Sequence, residues 1–229
     1  MHSGFRKQRS TIDHIARLQD SVHKALHTQQ HVLGVFLDFS KAFDMVWRQG
    51  LFCKLRNLGI GGRMYAWIAD FLDDRKIRVQ VGAAVSDIYS MNNGTPQGSI
   101  ISPLLLNIMI NDLPNPLDAR ILPSIYVDDC AAWKAGKDVA LLCRQLQQHL
   151  DSVITWTDTW GFKLSEEKSA AVLFTINKKL VDSVKLTIKG RLGQGREPSQ
   201  ASRGDLRPSA HLKSLISPAS WRGPRRPTI

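Results

Sequence analysis

Residues 31–44 have the sequence HVLGVFLDFSKAFD, an apolar run that ends in a carboxylate. The apolar part has the length and composition of a strand that is buried on both faces of a sheet. A carboxylate at the end of such a strand is costly unless it is paired or bound to a metal ion. Asp38 is therefore either an ordinary turn residue at a strand end or part of a functional site.

Two further carboxylates interrupt the apolar segment IYVDDCAAW. Residues 121–127 and 130–134 have the pattern of a β-hairpin, with Asp128 and Asp129 at its tip. A tight turn accounts for the pair, although like charges side by side repel each other. If the hairpin and the first strand are neighbours in one sheet, three carboxylates cluster, and a divalent cation such as Mg²⁺ makes such a cluster tolerable. Two cations a few ångströms apart are a common device for in-line attack on a phosphate.

A third segment, NNGTPQGSIISPLLLNIMIND, combines a glycine-rich loop with an apolar helix. Gly94, Pro96 and Gly98 form the loop, and we expect the helix over residues 99–113. Glycine at the start of a helix permits close approach by a nucleotide or template phosphate. The alternative is a plain capped helix start.

The remaining periodicity predicts an α+β fold, in which an antiparallel sheet carries helices on one face. The expected helices span 10–28, 47–58, 61–72 and 137–157, and the expected further strands span 76–81, 86–91, 169–175 and 184–189.

Composition changes near residue 190. The last 40 residues hold eight basic and two acidic side chains and five of the ten prolines, so we predict a basic, disordered tail over 190–229. Just over half of the net charge of +11 therefore comes from the tail, and charge does not by itself identify a nucleic-acid enzyme. The three cysteines are odd in number and widely spaced, which argues against disulfides and zinc and favours an intracellular protein of the nucleus or cytoplasm. The sequence shows no apolar run long enough to span a membrane.

In order and spacing these segments resemble the shared motifs of reverse transcriptases. LDFSKAFD is similar to motif A, GTPQGSIISPLLLNIMIND to motif B, YVDD to motif C and WGFKLSEEKSAAVLF to motif D. SGFRKQRST resembles the segment before motif A in the enzymes of non-LTR retrotransposons and group II introns. The residues of motifs A and B are most similar to those of arthropod-type non-LTR elements. The resemblance covers residues 3–189 and implies a polymerase palm with partial fingers, divided as 1–30 (entry helix and fingers remnant), 31–189 (palm) and the tail.

The resemblance also implies roles by position. Asp38, Asp128 and Asp129 are the expected catalytic carboxylates and ligands of Mg²⁺ or Mn²⁺. Phe43 is the expected steric gate against a ribose 2′-hydroxyl, or else a core ring. Lys168 is the expected general acid toward pyrophosphate, or else a surface lysine. The expected nucleotide contacts are Phe39, Phe43, Gln97 and Gly98, although Phe39 has packing as its alternative, and the expected template contacts are Arg6, Lys7 and Arg9, whose alternative is a solvated basic end.

The implied function is RNA-directed DNA synthesis with an RNA template, a DNA primer and deoxynucleoside triphosphates. The family's full fingers and its thumb are not recognisable in the sequence, so we expect the isolated chain to be weakly active or inactive. A non-catalytic nucleic-acid-binding remnant and an RNA-templated RNA polymerase are the alternatives. Phe43 and the YVDD hairpin favour a reverse transcriptase over the latter. The sequence makes no prediction of oligomeric state.

Overall fold

The computed structural model describes residues 11–126, 129–188 and 204–205. These residues form six helices and ten strands, and the strands pair antiparallel, which is the α+β class that the periodicity predicts. The helices are α1 Thr11–His27, α2 Ala42–Met45, α3 Arg48–Asn57, α4 Gly62–Leu72, α5 Ser102–Ile110 and α6 Val139–Trp160; the strands are β1 His31–Asp38, β2 Lys76–Ile77, β3 Gln80–Val81, β4 Ala84–Val85, β5 Tyr89–Ser90, β6 Leu122–Tyr126, β7 Asp129–Gly136, β8 Ala170–Phe174, β9 Thr187–Ile188 and β10 Gly204–Asp205, with a 3₁₀ helix at Lys178–Ser183.

A four-stranded antiparallel sheet in the order β6-β7-β1-β8 forms the centre of the protein. The strand β1 pairs with β7 over all eight of its residues, from His31 opposite Gly136 to Asp38 opposite Asp129. Its other edge pairs with β8. The apolar run of β1 is therefore explained, because a strand with neighbours on both edges and helices on its faces has little polar surface to place in water.

The larger core lies on one face of this sheet. Leu33, Val35 and Leu37 project from β1 toward α3, α4, α5 and α6 and are almost completely buried. The apolar stripe of α6, which includes Leu142, Leu146, Leu150 and Val153, packs here at helical spacing. This face matches the expected arrangement of helices behind a sheet.

The helix α1, which the sequence predicts over residues 10–28, lies on the opposite face, whereas we expected helices on one face only. Val22 and Ala25 of α1 pack on Val32, Trp133 and Phe174 in a second, smaller cluster. Because side chains alternate along a strand, this is the face that also carries Asp38 and Asp129. The helix α1 therefore covers part of the surface on which the carboxylates lie.

The segment between α4 and the glycine-rich loop differs from the expected strand pair. Only the two-residue pairs β2–β5 and β3–β4 form, and every residue from 76 to 90 is exposed. A two-stranded ribbon without a covered face is marginal in water, which explains the short ladders.

The end of the predicted palm also differs from expectation. Residues 187–188 pair with 204–205 and not with the central sheet. Apart from those two residues, the predicted tail lies outside the described part of the chain.

Candidate active site

Asp38 and Asp129 are direct partners across two neighbouring antiparallel strands. Asp38 is the last residue of β1 and Asp129 is the first residue of β7, so the two carboxylates meet at one end of the sheet. Cβ atoms of such cross-strand partners are typically about 5 Å apart. Asp128 lies outside the described residues, so the expected proximity of Asp38 to Asp128 stays a prediction. Among the described residues, no third His, Cys, Asp or Glu joins this pair in a metal-binding group.

The carboxylate of Asp38 is only partly satisfied by the protein. Its Oδ2 atom is buried and accepts no hydrogen bond from the described residues. The nearest cation is the Nζ atom of Lys168, 3.6 Å away, which is beyond hydrogen-bonding distance. A buried carboxylate oxygen without a donor is unfavourable by itself, and a divalent cation is the kind of group that offsets this cost.

Lys168 reaches this position because its segment is joined to the end of β1. The Lys163 carbonyl accepts a hydrogen bond from the Ser40 amide (2.9 Å), and the Asp38 carbonyl accepts one from the Ser165 amide (2.8 Å). The Asp38 amide donates to the Ser169 hydroxyl at 3.3 Å. The side chain of Lys168 is 72% exposed. It is thus a solvated lysine held beside a carboxylate, and its expected role as a general acid stays a prediction.

The carboxylates border a cavity of about 390 Å³ between α1 and the sheet. The helix α1 is joined to β6 across the cavity by a hydrogen bond between His14 and Ser124. The residues around the cavity include His14, Leu18, Trp133, Asp38, Asp129 and Lys168. The acidic edge therefore opens onto a partly apolar cleft.

The glycine-rich loop lies against the short helix α2, which sequence periodicity did not predict. The Gly94 amide donates to the Val46 carbonyl and the Thr95 amide donates to the Phe43 carbonyl, both at 2.8 Å. Gly94 has a φ of +82°, and a Cβ atom there would lie 2.9 Å from backbone atoms of Asp44. Only glycine fits such a contact, so the first glycine of the loop is required by packing on α2.

The predicted nucleotide contacts differ in how accessible they are. Gln97 is exposed at the tip of the loop, and its side-chain amide lies 3.4 Å from the Asp44 carboxylate. Gly98 has open space around its Cα atom and a φ of +86°. The helix after the loop begins at Ser102, three residues later than expected, and the Ser102 amide donates a hydrogen bond to the Ser99 hydroxyl at 3.1 Å.

The two phenylalanines near Asp38 have different environments. Phe43 is half-buried on α2 and packs at the margin of the larger core. The Phe39 ring is 2% exposed and packs on Trp156 and Phe162. The expected nucleotide contact at Phe39 is therefore wrong for its side chain, because a ring in the core offers no surface to a ligand. A nucleotide contact at this position would have to use the backbone.

The three predicted template contacts, Arg6, Lys7 and Arg9, lie outside the described residues. Sequence reasoning missed three buried cations among the described residues, Arg48, Lys54 and Lys134. Periodicity gives no signal for a buried cation, because its partners come from distant parts of the chain.

Comparison with known proteins assigns the chain to a family. The reverse transcriptase (RNA-dependent DNA polymerase) family matches residues 2–203. The RNA-directed DNA polymerase from mobile element jockey of Drosophila melanogaster is 31% identical over 177 residues, which cover 75% of this chain and 19% of that protein. The probable RNA-directed DNA polymerase from transposon BS of the same organism is 30% identical over 204 residues, covering 86% of this chain and 22% of that protein. This chain thus spans about a fifth of the length of the curated relatives it matches.

The fold has relatives among solved structures. Telomerase from Candida tropicalis, solved in complex with a TWJ fragment of telomeric RNA, matches with a TM-score of 0.55 at 13% identity, covering 75% of this chain and 30% of that chain. The apo enzyme of that organism, truncated from its C-terminal domain, matches with a TM-score of 0.54 at 14% identity, covering 86% and 38%.

The chain belongs to the reverse transcriptase (RNA-dependent DNA polymerase) family, and its relatives group it with the enzymes of non-LTR retrotransposons. The resemblance of the motifs is thereby confirmed. Among the helices in the described part of the chain, none is both long and apolar enough to cross a membrane.

Proposed function

We propose that this chain is the palm of an RNA-directed DNA polymerase, in which Asp38, Asp128 and Asp129 hold the divalent cations for nucleotidyl transfer onto a primer 3′-hydroxyl. The observation that carries the proposal is the meeting of Asp38 and Asp129 as cross-strand partners, with Lys168 3.6 Å from Asp38. Three groups that are distant in sequence converge at one end of one sheet.

The residues at this edge suit Mg²⁺ or Mn²⁺. The buried Oδ2 atom of Asp38 accepts no hydrogen bond within the described residues, and carboxylate oxygens are the ligands that these hard cations prefer. When bound, such cations activate the attacking hydroxyl and neutralise charge on the triphosphate. The protein contributes the rigid placement of the carboxylates, because both lie within a continuous β-ladder.

Other side chains of the proposed site act on the nucleotide. The Lys168 ammonium group is solvated and directed to the carboxylate edge, so it can attract the triphosphate and donate a proton to the leaving pyrophosphate. Phe43, half-buried on α2, is proposed to exclude a ribose 2′-hydroxyl. Gln97 and Gly98 at the exposed loop are proposed to contact the nucleotide, and the backbone of Phe39 can do so as well. The proposed template contacts are Arg6, Lys7 and Arg9.

The proposed substrates are an RNA template, a DNA primer and deoxynucleoside triphosphates. The curated relatives are named RNA-directed DNA polymerases, which supports this choice over an RNA-templated RNA polymerase. We expect the rate of the isolated chain to be low, because a palm alone positions long substrates poorly.

Primer extension on an RNA template with deoxynucleotides and Mg²⁺ tests the proposal. The wild-type chain is compared with Asp38→Asn and Asp128→Asn. Asp20→Asn is the matched control, since Asp20 is an exposed helical carboxylate that pairs with Lys24 on the same helix. We expect both active-site variants to lose extension and the control to keep it. Equal extension by all four proteins would refute the proposal, and absence of extension by the folded wild type would favour the non-catalytic remnant.

A further inference from the structure

Arg48 is a buried cation at an unfavourable position. It is 8% exposed and is the first residue of α3. Burial costs hydration free energy, and the N-terminus of a helix carries partial positive charge that repels a guanidinium. Burial, and then the neighbouring Arg75 guanidinium, lower the pKa of Arg48. A favourable interaction must offset these costs.

The contacts of Arg48 are with the backbone of the glycine-rich loop. Its Nε atom donates to the Gly94 carbonyl and its Nη2 atom donates to the Asn93 carbonyl, each at 3.3 Å. The Nη1 atom of Arg75 donates to the same Gly94 carbonyl at 3.3 Å. Two guanidinium groups therefore converge on one peptide of the loop.

The other side of that peptide rests on α2. The amides of Gly94 and Thr95 donate to the carbonyls of Val46 and Phe43, and Gly94 is in direct backbone contact with Asp44. The helix α2 has four residues and cannot be stable by itself. The loop and α2 thus hold each other, with Arg48 as the buried side chain that closes the arrangement.

We propose that Arg48 is a positioning residue that fixes the loop of residues 93–98 on α2 and thereby sets the nucleotide-selecting geometry of Phe43 and Gln97. This inference rests on the proposed function for its catalytic consequence. The choice of arginine follows from its two parallel donors, which reach two adjacent carbonyls at once, whereas lysine offers a point charge.

The first test measures amide hydrogen exchange of Gly94 and Thr95 relative to amides of β1. The proteins are the wild type, Arg48→Met, Arg48→Lys and Lys54→Met. Lys54 is the matched control, because it is a buried cation of the same helix that contacts α5 and α6 and not the loop. We expect Arg48→Met to speed loop exchange by roughly tenfold or more beyond any change in β1, and Arg48→Lys to have a smaller effect. Lys54→Met should affect both regions alike.

The second test measures the ratio of kcat/KM for a deoxynucleotide to that for the matching ribonucleotide in primer extension. A ratio does not depend on how much of a variant is folded, so simple destabilisation leaves it unchanged. We expect Arg48→Met to lower the ratio by about tenfold, Arg48→Lys to restore part of it and Lys54→Met to leave it as in the wild type.

The outcomes separate this inference from the proposed function. Loop exchange that is unaltered in Arg48→Met overturns the inference whether or not the chain extends primers. Faster loop exchange with an unchanged nucleotide ratio overturns the role in selection. A folded wild type that extends no primer counts against the proposed function, and the exchange measurement then decides the placement of the loop.

Discussion

Two lysine–aspartate pairs lie on opposite sides of the central sheet and differ in how completely their charges are satisfied. Lys54 and Asp112 form the core pair. The Lys54 side chain is 8% exposed, bonds to Asp112 and to the Met109 carbonyl, and lies 3.7 Å from the centroid of the Trp160 ring. Asp112 also accepts a hydrogen bond from the Trp156 indole. Each buried polar group of this pair has a partner.

Lys168 and Asp38 form the edge pair, in which the protein leaves the charges incompletely matched. Their atoms are 3.6 Å apart, the lysine is mostly in water and the carboxylate retains an oxygen that accepts no hydrogen bond from the described residues. The same two residue types thus have different roles in the two pairs. A satisfied pair joins α3, α5 and α6, whereas an incomplete pair remains available to a ligand.

The largest expected effect is on the edge pair. We expect Asp38→Asn to reduce primer extension on the order of a thousandfold, because under the proposed function it removes a ligand of the divalent cations that stabilise charge in the transition state. The free energy of unfolding should stay the same or rise slightly, since the change removes repulsion from Asp129. Chemical denaturation and extension assays on one preparation measure both. A large loss of stability would mean that Asp38 has a structural role, which would contradict the contrast between the edge pair and the core pair.

The core pair should affect stability and leave primer extension unchanged. We expect Lys54→Met to lower the free energy of unfolding by about 2–3 kcal/mol, because it leaves the Met109 carbonyl without its donor and Asp112 without its cation. Extension per folded molecule should be unchanged. The double variant Lys54→Met/Asp112→Leu should recover part of the stability, since it removes both charges together. A double variant less stable than the single one would contradict this explanation.

Lys168 provides a finer test. We expect Lys168→Met to slow extension by roughly tenfold to a hundredfold, and Lys168→Arg to slow it less, because arginine keeps the charge but is a poorer proton donor. The free energy of unfolding should change by less than about 0.5 kcal/mol, as is usual for an exposed ion pair. Single-turnover rates with a saturating nucleotide measure the chemical step. Equal rates for Lys168→Met and the wild type would make Lys168 a surface residue.

The smallest expected effect is on stability and concerns His149. This residue tests whether a buried polar atom without a hydrogen-bond partner always belongs to a functional site. This residue is 8% exposed on the core face, and its Nδ1 atom has no hydrogen-bond partner among the described residues. Burial lowers the pKa of His149, so the native state binds its proton less readily than the unfolded chain does. The stability it contributes is present above the unfolded pKa of about 6.5 and is lost as pH falls below it.

We therefore expect the free energy of unfolding to fall as pH is lowered from 7 to 5.5, and the dependence to weaken in His149→Phe. Urea denaturation across this pH range measures it. An identical pH dependence in the two proteins would assign the effect to other groups. Extension at pH 7.5 should be the same for both. An unsatisfied buried atom would then not by itself indicate function, and at Asp38 the proposal also depends on the neighbouring Asp129 and the larger cleft.

Sequence reasoning succeeded where the signal was local. The apolar run of β1 and the amphipathic pattern of α6 gave their positions to within a few residues. The convergence of Asp38 and Asp129 followed from placing a hairpin beside a strand. Contacts made by tertiary packing were not predictable in this way, as Arg48 and Lys54 illustrate. The helix α2 was missed because four residues are too few for a period to appear. The strands within residues 76–90 were predicted too long, because their alternating pattern has no core to pack against.

The ladder between β1 and β7 has a consequence for which sequence changes the family can accept. The eight pairs begin at His31 opposite Gly136 and end at Asp38 opposite Asp129, so the proposed active site lies at the last pair of the ladder. One residue inserted within either strand would shift Asp38 and Asp129 out of register by one step, so that their side chains would point to opposite faces of the sheet. Insertions between α5 and β6 leave the register of the two strands unchanged. Length variation among working relatives should therefore accumulate in such connections, while these two strands keep a fixed number of residues.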